Sequence, residues 1–386
     1  MSGLSLNGTA AQPPVRLAVV GLGYWGPNLV RNAHELPTAE LNLICDLHEP
    51  VLDAIGSRYP GVAKTRSFDQ VIADETIDAV VIATPVSTHY RLAKAALEAG
   101  KHVLVEKPLA ASYAQALELV ELARAGERVL MPGHTFLYSP SVLMIKELID
   151  SGDLGEIYFI SSSRVNLGLY QPDVSVLWDL APHDFSILRF WLDEVPSHIS
   201  ALSRACVLPG MSDVAFVNLE FGSGSIAHVE LSWLSPSKLR RTTVVGSRKM
   251  VVYDDTSGEP VRVFDSGVAN DLPQTFGEHQ LAYRLGDIVS PRVEPVEPLL
   301  MELADFCAAV RTGSRPRSDA RFGLDVVQMV EAASRSVELG SRRIACSEDE
   351  RESLSTELIE QVSTSNGGGH AVGQAALARK LEDGWR

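Results

Sequence analysis

Short apolar and β-branched runs alternate with amphipathic stretches through the first third of the chain, the signature of parallel βαβ units. Val15–Val20 is such a run, closed by Gly21, and a helical pattern follows to about Leu36. A second strand is expected at Leu41–Cys45, ending at Asp46, with further buried strands at Ala79–Ala83, His102–Val105 and Val129–Met131. Helices are expected at Thr88–Ala99, where Gly100 supplies the stop, and at Ser112–Ala125. Strands this apolar need cover on both faces. The pattern predicts an α/β N-terminal Rossmann domain, a doubly wound parallel sheet, over residues 14–134.

After a helix at Ser141–Asp150 the texture changes. Ile157–Val165, Val214–Phe221, Ser225–Leu234 and Thr242–Val245 alternate or are β-branched, and turn signals such as Gly222-Ser223-Gly224 separate them. These read as hairpins in a large, mostly antiparallel sheet. One helix at about Leu180–Leu192 interrupts the region, and helices at Leu299–Arg311 and Phe322–Leu339 close it. The expected second domain is α+β over residues 135–345, with its last helices placed to pack back on the first. Residues 1–13 read as a disordered lead. Residues 346–386 read as a flexible acidic tail, in which Gly367-Gly368-Gly369 is a tether and Ala375–Leu381 a short helix.

Bulk properties narrow the chemistry. A chain of 386 residues defaults to two domains. A net charge of −15 argues against nucleic acid, though a local Arg/Lys cluster would still hold a small anion. No apolar run approaches the ~20 residues that span a bilayer, and the start lacks a basic n-region and an apolar h-region, so a cytoplasmic protein without membrane partners is expected. Cys45, Cys206, Cys307 and Cys346 are scattered without zinc or redox spacing, and no metal is expected.

Gly21-Leu22-Gly23-Tyr24-Trp25-Gly26 is a GxGxxG between the first strand and the first helix. In that context the first glycine permits a tight turn, the second lets backbone amides approach a pyrophosphate, and the third allows helix to pack on strand. Asp46, twenty positions after Gly26, stands where a carboxylate accepts from ribose hydroxyls and repels a 2′-phosphate. NAD is therefore expected over NADP. A capping role for Asp46 is the alternative.

Two more motifs lie at carboxyl ends of parallel strands: Thr84-Pro85-Val86-Ser87-Thr88-His89 and Glu106-Lys107-Pro108. With the glycine loop and the antiparallel second domain, the chain resembles the Gfo/Idh/MocA oxidoreductases over roughly residues 14–345. The resemblance implies a cis bond before Pro108 and a Lys107 aimed at nicotinamide and substrate. It implies that Tyr24, Trp25, Thr84, Pro85, His89, Glu106 and Lys107 join the glycines around the cofactor. In Trp178-Asp179-Leu180-Ala181-Pro182-His183-Asp184 it implies an Asp-xxx-His pair, with His183 as acid/base. That role is chemically sensible, because imidazole shuttles a hydroxyl proton near neutrality. Lys107 would stabilise the developing alkoxide. Asp179 and His183, four apart, would share a helix face, with Pro182 in the first turn; Asp179 would orient the imidazole or hold a hydroxyl.

The phrasing around Gly23–Asn28, Gly133–Tyr138 and Leu177–Asp184 resembles the branch of nucleotide-sugar 3-dehydrogenases, implying C3 of UDP-N-acetylglucosamine or its uronate as the reacting carbon. A diphosphate would need cations. Lys238, Arg240 and Arg241 cluster where a strand is read as ending in a loop, and Arg164 stands beside Asn166 at another strand end; a solvated basic loop is the alternative. His134 and Tyr138 either line the site or pack at the domain junction. Two further readings remain, an inositol, polyol or free-sugar dehydrogenase of the same family and a non-catalytic dinucleotide-binding regulator. The retained Lys107, Asp179 and His183 weigh against the regulator. A homodimer or homotetramer through the outer face of the second sheet is also implied by the resemblance.

Overall fold

A computed structural model describes residues 13–168, 170, 174–269 and 282–346. The expected lead, apart from Pro13, and the tail with its glycine tether and short helix lie outside the described residues.

The chain opens with β1 (Val15–Val20), α1 (Gly26–Glu35), β2 (Ala39–Cys45), α2 (Glu49–Gly56), β3 (Ala63–Thr65) and α3 (Phe68–Ala73). It continues through β4 (Ala79–Ile82), α4 (Val86–Glu98), β5 (His102–Glu106), α5 (Tyr113–Ala125) and β6 (Leu130–Gly133). All six strands pair in parallel in the order β3-β2-β1-β4-β5-β6. The order reverses between β1 and β4, the switch point at which open α/β sheets carry their ligand crevice. Leu17, Val80, Val81, Val103 and Leu104 are fully buried, which explains why these strands read as unbroken apolar runs. Ser112 caps α5 by accepting from the Gln115 amide at 3.3 Å.

A 3-10 turn (Thr135–Tyr138) leads into α6 (Pro140–Asp150), β7 (Ile157–Leu167) and α7 (Val176–Leu192). Further strands are β8 (His198–Arg204), β9 (Val214–Glu220), β10 (Ile226–Ser232), β11 (Leu234–Gly246), β12 (Met250–Asp254), β13 (Val261–Ala269) and β14 (Ala282–Val289). With β7 they are successive neighbours, in the order β14-β13-β12-β11-β7-β10-β9-β8, in one large sheet. Within that run β7 and β10 pair in parallel and the other neighbours are antiparallel. Finally α8 (Pro298–Thr312) lies against α1, and α9 (Ala320–Glu338) against α5, α7 and β6. Gly323 lets α9 approach, because a Cβ there would stand 2.6 Å from the Pro132 ring.

Two expectations are corrected. α7 begins at Val176, not near Leu180, so Pro182 lies inside the helix rather than in its first turn. The basic cluster does not sit in a loop: β11 continues from Leu234 to Gly246, and a register shift between Leu234 and Leu239 accommodates Pro236. Lys238, Arg240 and Arg241 are therefore strand residues.

Candidate active site

The glycine loop fits a dinucleotide. Gly21 has φ +89°, and a Cβ there would lie 2.6 Å from the Ala83 carbonyl oxygen; a Cβ on Gly26 would lie 2.2 Å from that of Gly21. Both glycines are demanded by the fold itself. Gly23 is different: a side chain there would meet nothing within 4 Å, so the fold does not demand a glycine, and the open space is where a pyrophosphate would approach the backbone. Tyr24 and Trp25 stand exposed beside it in an edge-to-face pair. Asp46, at the end of β2, accepts from the Leu22 amide through Oδ2 at 2.7 Å and from the His48 amide through Oδ1 at 2.8 Å. It is thereby fixed at the edge of the glycine loop.

The loops after β4 and β5 are strapped together. His89 is buried, with Nδ1 2.9 Å from the Pro108 carbonyl oxygen and Nε2 2.8 Å from that of Thr84. The expectation that His89 contacts the cofactor is corrected: both ring nitrogens already face backbone carbonyls, so it braces the loops that carry Thr84, Pro85 and Lys107. Thr84 Oγ1 meets Thr88 Oγ1 at 2.6 Å. The Lys107–Pro108 bond is cis. Glu106 is buried beside Gly133, and burial raises its carboxyl to about 7.

Lys107 crosses to the second domain. Its Nζ donates to the Asp179 carbonyl oxygen at 2.8 Å and lies 3.4 Å from Asp179 Oδ1. Pro182, lacking N–H, deprives the adjacent Trp178 carbonyl of its helical donor, so the turn that receives Lys107 is already interrupted. Asp179 Oδ2 accepts from Trp233 Nε1 at 3.1 Å. Asp179, expected to orient the His183 ring or hold a hydroxyl, thus meets Lys107 and Trp233 through its carboxylate. His183, one turn further along α7, packs edge-on to the Phe136 ring with centroids 5.1 Å apart. Burial, with the positive charges of Lys107, Arg164 and Arg240, holds its imidazole well below the usual range and therefore neutral. A neutral imidazole beside an ammonium group can take a hydroxyl proton while the ammonium stabilises the oxygen left behind.

The nominated arginines each meet a carboxylate. Arg164, expected as a diphosphate ligand, is buried: its Nε meets Asp184 Oδ2 at 2.5 Å, with side chains 6% and 3% exposed, its guanidinium lies over Phe136 at 4.6 Å, and its Nη1 has no hydrogen-bond partner among the described residues. Arg240 pairs with Asp255 at 3.1 Å and lies 5.7 Å from the same ring, whereas Arg241 pairs with Asp254 at 2.9 Å. Lys238 is exposed. Asn166 Oδ1 is enclosed without a hydrogen-bond partner among the described residues. His134 is buried, and burial lowers its ring to about 3; Tyr138 is buried and donates to Asp305 at 2.8 Å. Among the described residues no group of three His, Cys, Asp or Glu side chains could hold a metal ion, and no helix is long and apolar enough to cross a membrane.

Sequence reasoning missed Phe136, Asp184 and Trp233. Asp184 lies within the quoted Trp178–Asp184 motif, but its partner Arg164 is 20 residues away. Trp233 carries no motif and reaches Asp179 across 54 residues.

Comparison with known proteins places both domains in one family. Residues 15–134 match a model described as an oxidoreductase family with an NAD-binding Rossmann fold, and residues 142–252 match the GFO/IDH/MocA C-terminal domain. The scyllo-inositol 2-dehydrogenase (NAD(+)) of Bacillus subtilis (strain 168) is 28% identical over 338 residues, 81% of this chain and 92% of that protein. GenD2 from gentamicin A biosynthesis, solved in complex with NAD, superposes with TM-score 0.75 at 26% identity, covering 89% of this chain and 99% of GenD2. A Magnetospirillum magnetotacticum MS-1 protein, named only as an oxidoreductase, gives 0.72 at 30% identity, covering 83% of this chain and 99% of its own. Curated relatives are matched over 54% to 97% of their own length.

Proposed function

The chain belongs to the Gfo/Idh/MocA oxidoreductase family and binds NAD, and on that premise we propose that it moves a hydride between NAD and a secondary alcohol carbon of a polyol or sugar. The observation that carries the reading is the meeting of Lys107, from the end of β5, with Asp179 of α7, one turn before His183. Bound NAD supplies the hydride acceptor. Gly21, Gly23, Gly26 and Asp46 would hold it, with Tyr24, Trp25, Thr84, Pro85 and Glu106 lining the same crevice. His183 takes the hydroxyl proton onto its imidazole. Lys107 donates to the oxygen as negative charge develops, and Asp179 holds the Lys107 ammonium in place. In reduction the proton returns from His183 to the carbonyl oxygen.

An unphosphorylated polyol or sugar is favoured over C3 of a nucleotide-linked sugar. Arg164, Arg240 and Arg241 are neutralised by Asp184, Asp255 and Asp254, which leaves little charge for a diphosphate. Several relatives are named inositol 2-dehydrogenases. The exposed Lys238 is the observation that keeps a nucleotide-sugar as the second reading. A homodimer or homotetramer belongs to the same proposal, because Phe159, Phe216 and Ile226 stand exposed on one face of the large sheet. NADH formation with myo-inositol, scyllo-inositol, free hexoses, UDP-N-acetylglucosamine and its uronate tests the reading. Turnover of a polyol or free sugar is expected. Turnover confined to the UDP-sugars would overturn the substrate class, and NAD binding without any turnover would favour the regulator.

A further inference from the structure

We propose that Trp233 is a positioning residue that sets Lys107 through Asp179, an inference that rests on Lys107 facing the reacting hydroxyl. Trp233 lies between β10 and β11 and is 1% exposed. Its backbone is fixed on both sides: its amide donates to the Asp213 carbonyl at 2.9 Å, and its own carbonyl accepts from Gly168 at 3.0 Å. The indole packs on the Tyr170 ring at 5.0 Å. Residue 168 must lack a side chain to admit it, because a Cβ there would stand 2.6 Å from Trp233 Cδ1.

Indole has one polar atom, a donor that neither accepts nor titrates in the working range. Trp233 directs it at Asp179 Oδ2, 3.1 Å away, while Oδ1 faces Lys107. Rotation about the carboxylate's terminal bond is soft, so one contact through Oδ1 would leave its plane free. The second contact, from a side chain enclosed by its neighbours, fixes it. Trp233 is fully enclosed, whereas the side chains it anchors, Asp179 and Lys107, are 21% and 12% exposed. A rigid, dry donor thus anchors an ion pair at the crevice edge, where its geometry governs the position of the ammonium.

The test replaces Trp233 with β-(3-benzothienyl)alanine, which keeps the bicyclic shape and exchanges N–H for sulfur, alongside Trp233→Phe. Two readouts are taken: myo-inositol oxidation by NAD, and the acetylation rate of each lysine under a pulse of N-hydroxysuccinimide acetate. In the sulfur analogue kcat is expected to fall roughly tenfold, the scale of one hydrogen bond to a charged group, with KM and NAD affinity little changed. Lys107 labelling is expected to rise while that of Lys101, strapped to the Asp74 and Ile77 carbonyls, stays constant. Removing the donor in an Asp179→Ala background is expected to cost little more. Unchanged Lys107 labelling, or an equal loss in the Asp179→Ala background, overturns the proposal even if Lys107→Met is inactive. A fully active Lys107→Met would instead overturn the underlying reading, and this inference with it.

Discussion

Lys107 and Asp179 join the two halves of the site: the ammonium at the end of β5 donates to the Asp179 carbonyl at 2.8 Å and lies 3.4 Å from its carboxylate. The first strand set brings the proposed cofactor crevice, and α7 brings His183, the proposed acid/base. The consequences can be checked residue by residue.

Gly21 and Gly23 should separate fold from function. Gly21→Ala places a Cβ at φ +89° and 2.6 Å from a carbonyl oxygen, so it should lower Tm and the yield of folded protein. Gly23→Ala meets nothing and should keep the wild-type Tm while weakening NAD binding at least tenfold. Calorimetric titration with NAD reads both. A Gly23→Ala protein that binds NAD normally would deny the loop its ligand.

Asp46→Ala should raise the NAD Kd roughly ten- to a hundredfold, the scale of charge-assisted hydrogen bonds to a diol, and narrow the preference over NADP. Quenching of protein fluorescence by each cofactor measures the ratio. An unchanged ratio would assign Asp46 only to the Leu22 and His48 amides.

The Arg164–Asp184 pair is enclosed, so breaking it leaves a buried charge. Asp184→Ala should cost about 3–5 kcal/mol in urea unfolding, whereas Arg164→Met with Asp184→Leu should recover much of that loss. A negligible loss in the single variant would contradict the burial.

Most of the first domain was legible because parallel strands covered on both faces must be apolar throughout, as Val15–Val20 and Ala79–Ile82 are. The antiparallel region was read less completely. β13 and β14 escaped because residues such as Tyr283, Leu285 and Ile288 are exposed and mixed with Arg284 and Asp287, so neither alternation nor burial marks them. The start of α7 was misplaced because proline is a first-turn signal, while Pro182 here sits well inside the helix. The basic cluster looked like a loop because Pro236 is carried by an irregularity within β11. Lys107, Asp179 and His183 could be nominated from motifs. Their partners Trp233 and Phe136 could not, since only the tertiary fold brings them near.

Buried and half-buried imidazoles make the protein acid-sensitive. His102 is held at about 4 chiefly by burial, His134 at about 3, and His183 well below 6.5. Unfolded, each takes a proton near pH 6.5 that the folded chain refuses, so their contribution is complete above that pH and is lost as pH falls. Buried Glu106, raised to about 7, and Glu302, raised well above its usual range, act oppositely: the folded chain keeps protons that the unfolded chain releases above about pH 4.5. Between pH 5 and 6 the three imidazoles outweigh the two carboxyls, so stability should rise with pH across that window. His134→Leu should flatten that slope. Denaturant titrations across the window check it, and an unchanged slope in His134→Leu would contradict the assignment.

The most direct measurement is single-turnover NADH formation by Lys107→Met and His183→Asn, with polyol saturating and NAD affinity measured alongside. Each variant should lose at least a hundredfold in rate while binding NAD within about twofold of the parent chain, as expected for groups that act on the alcohol. Wild-type rates in either variant would contradict the claim that these two side chains meet on one reacting oxygen.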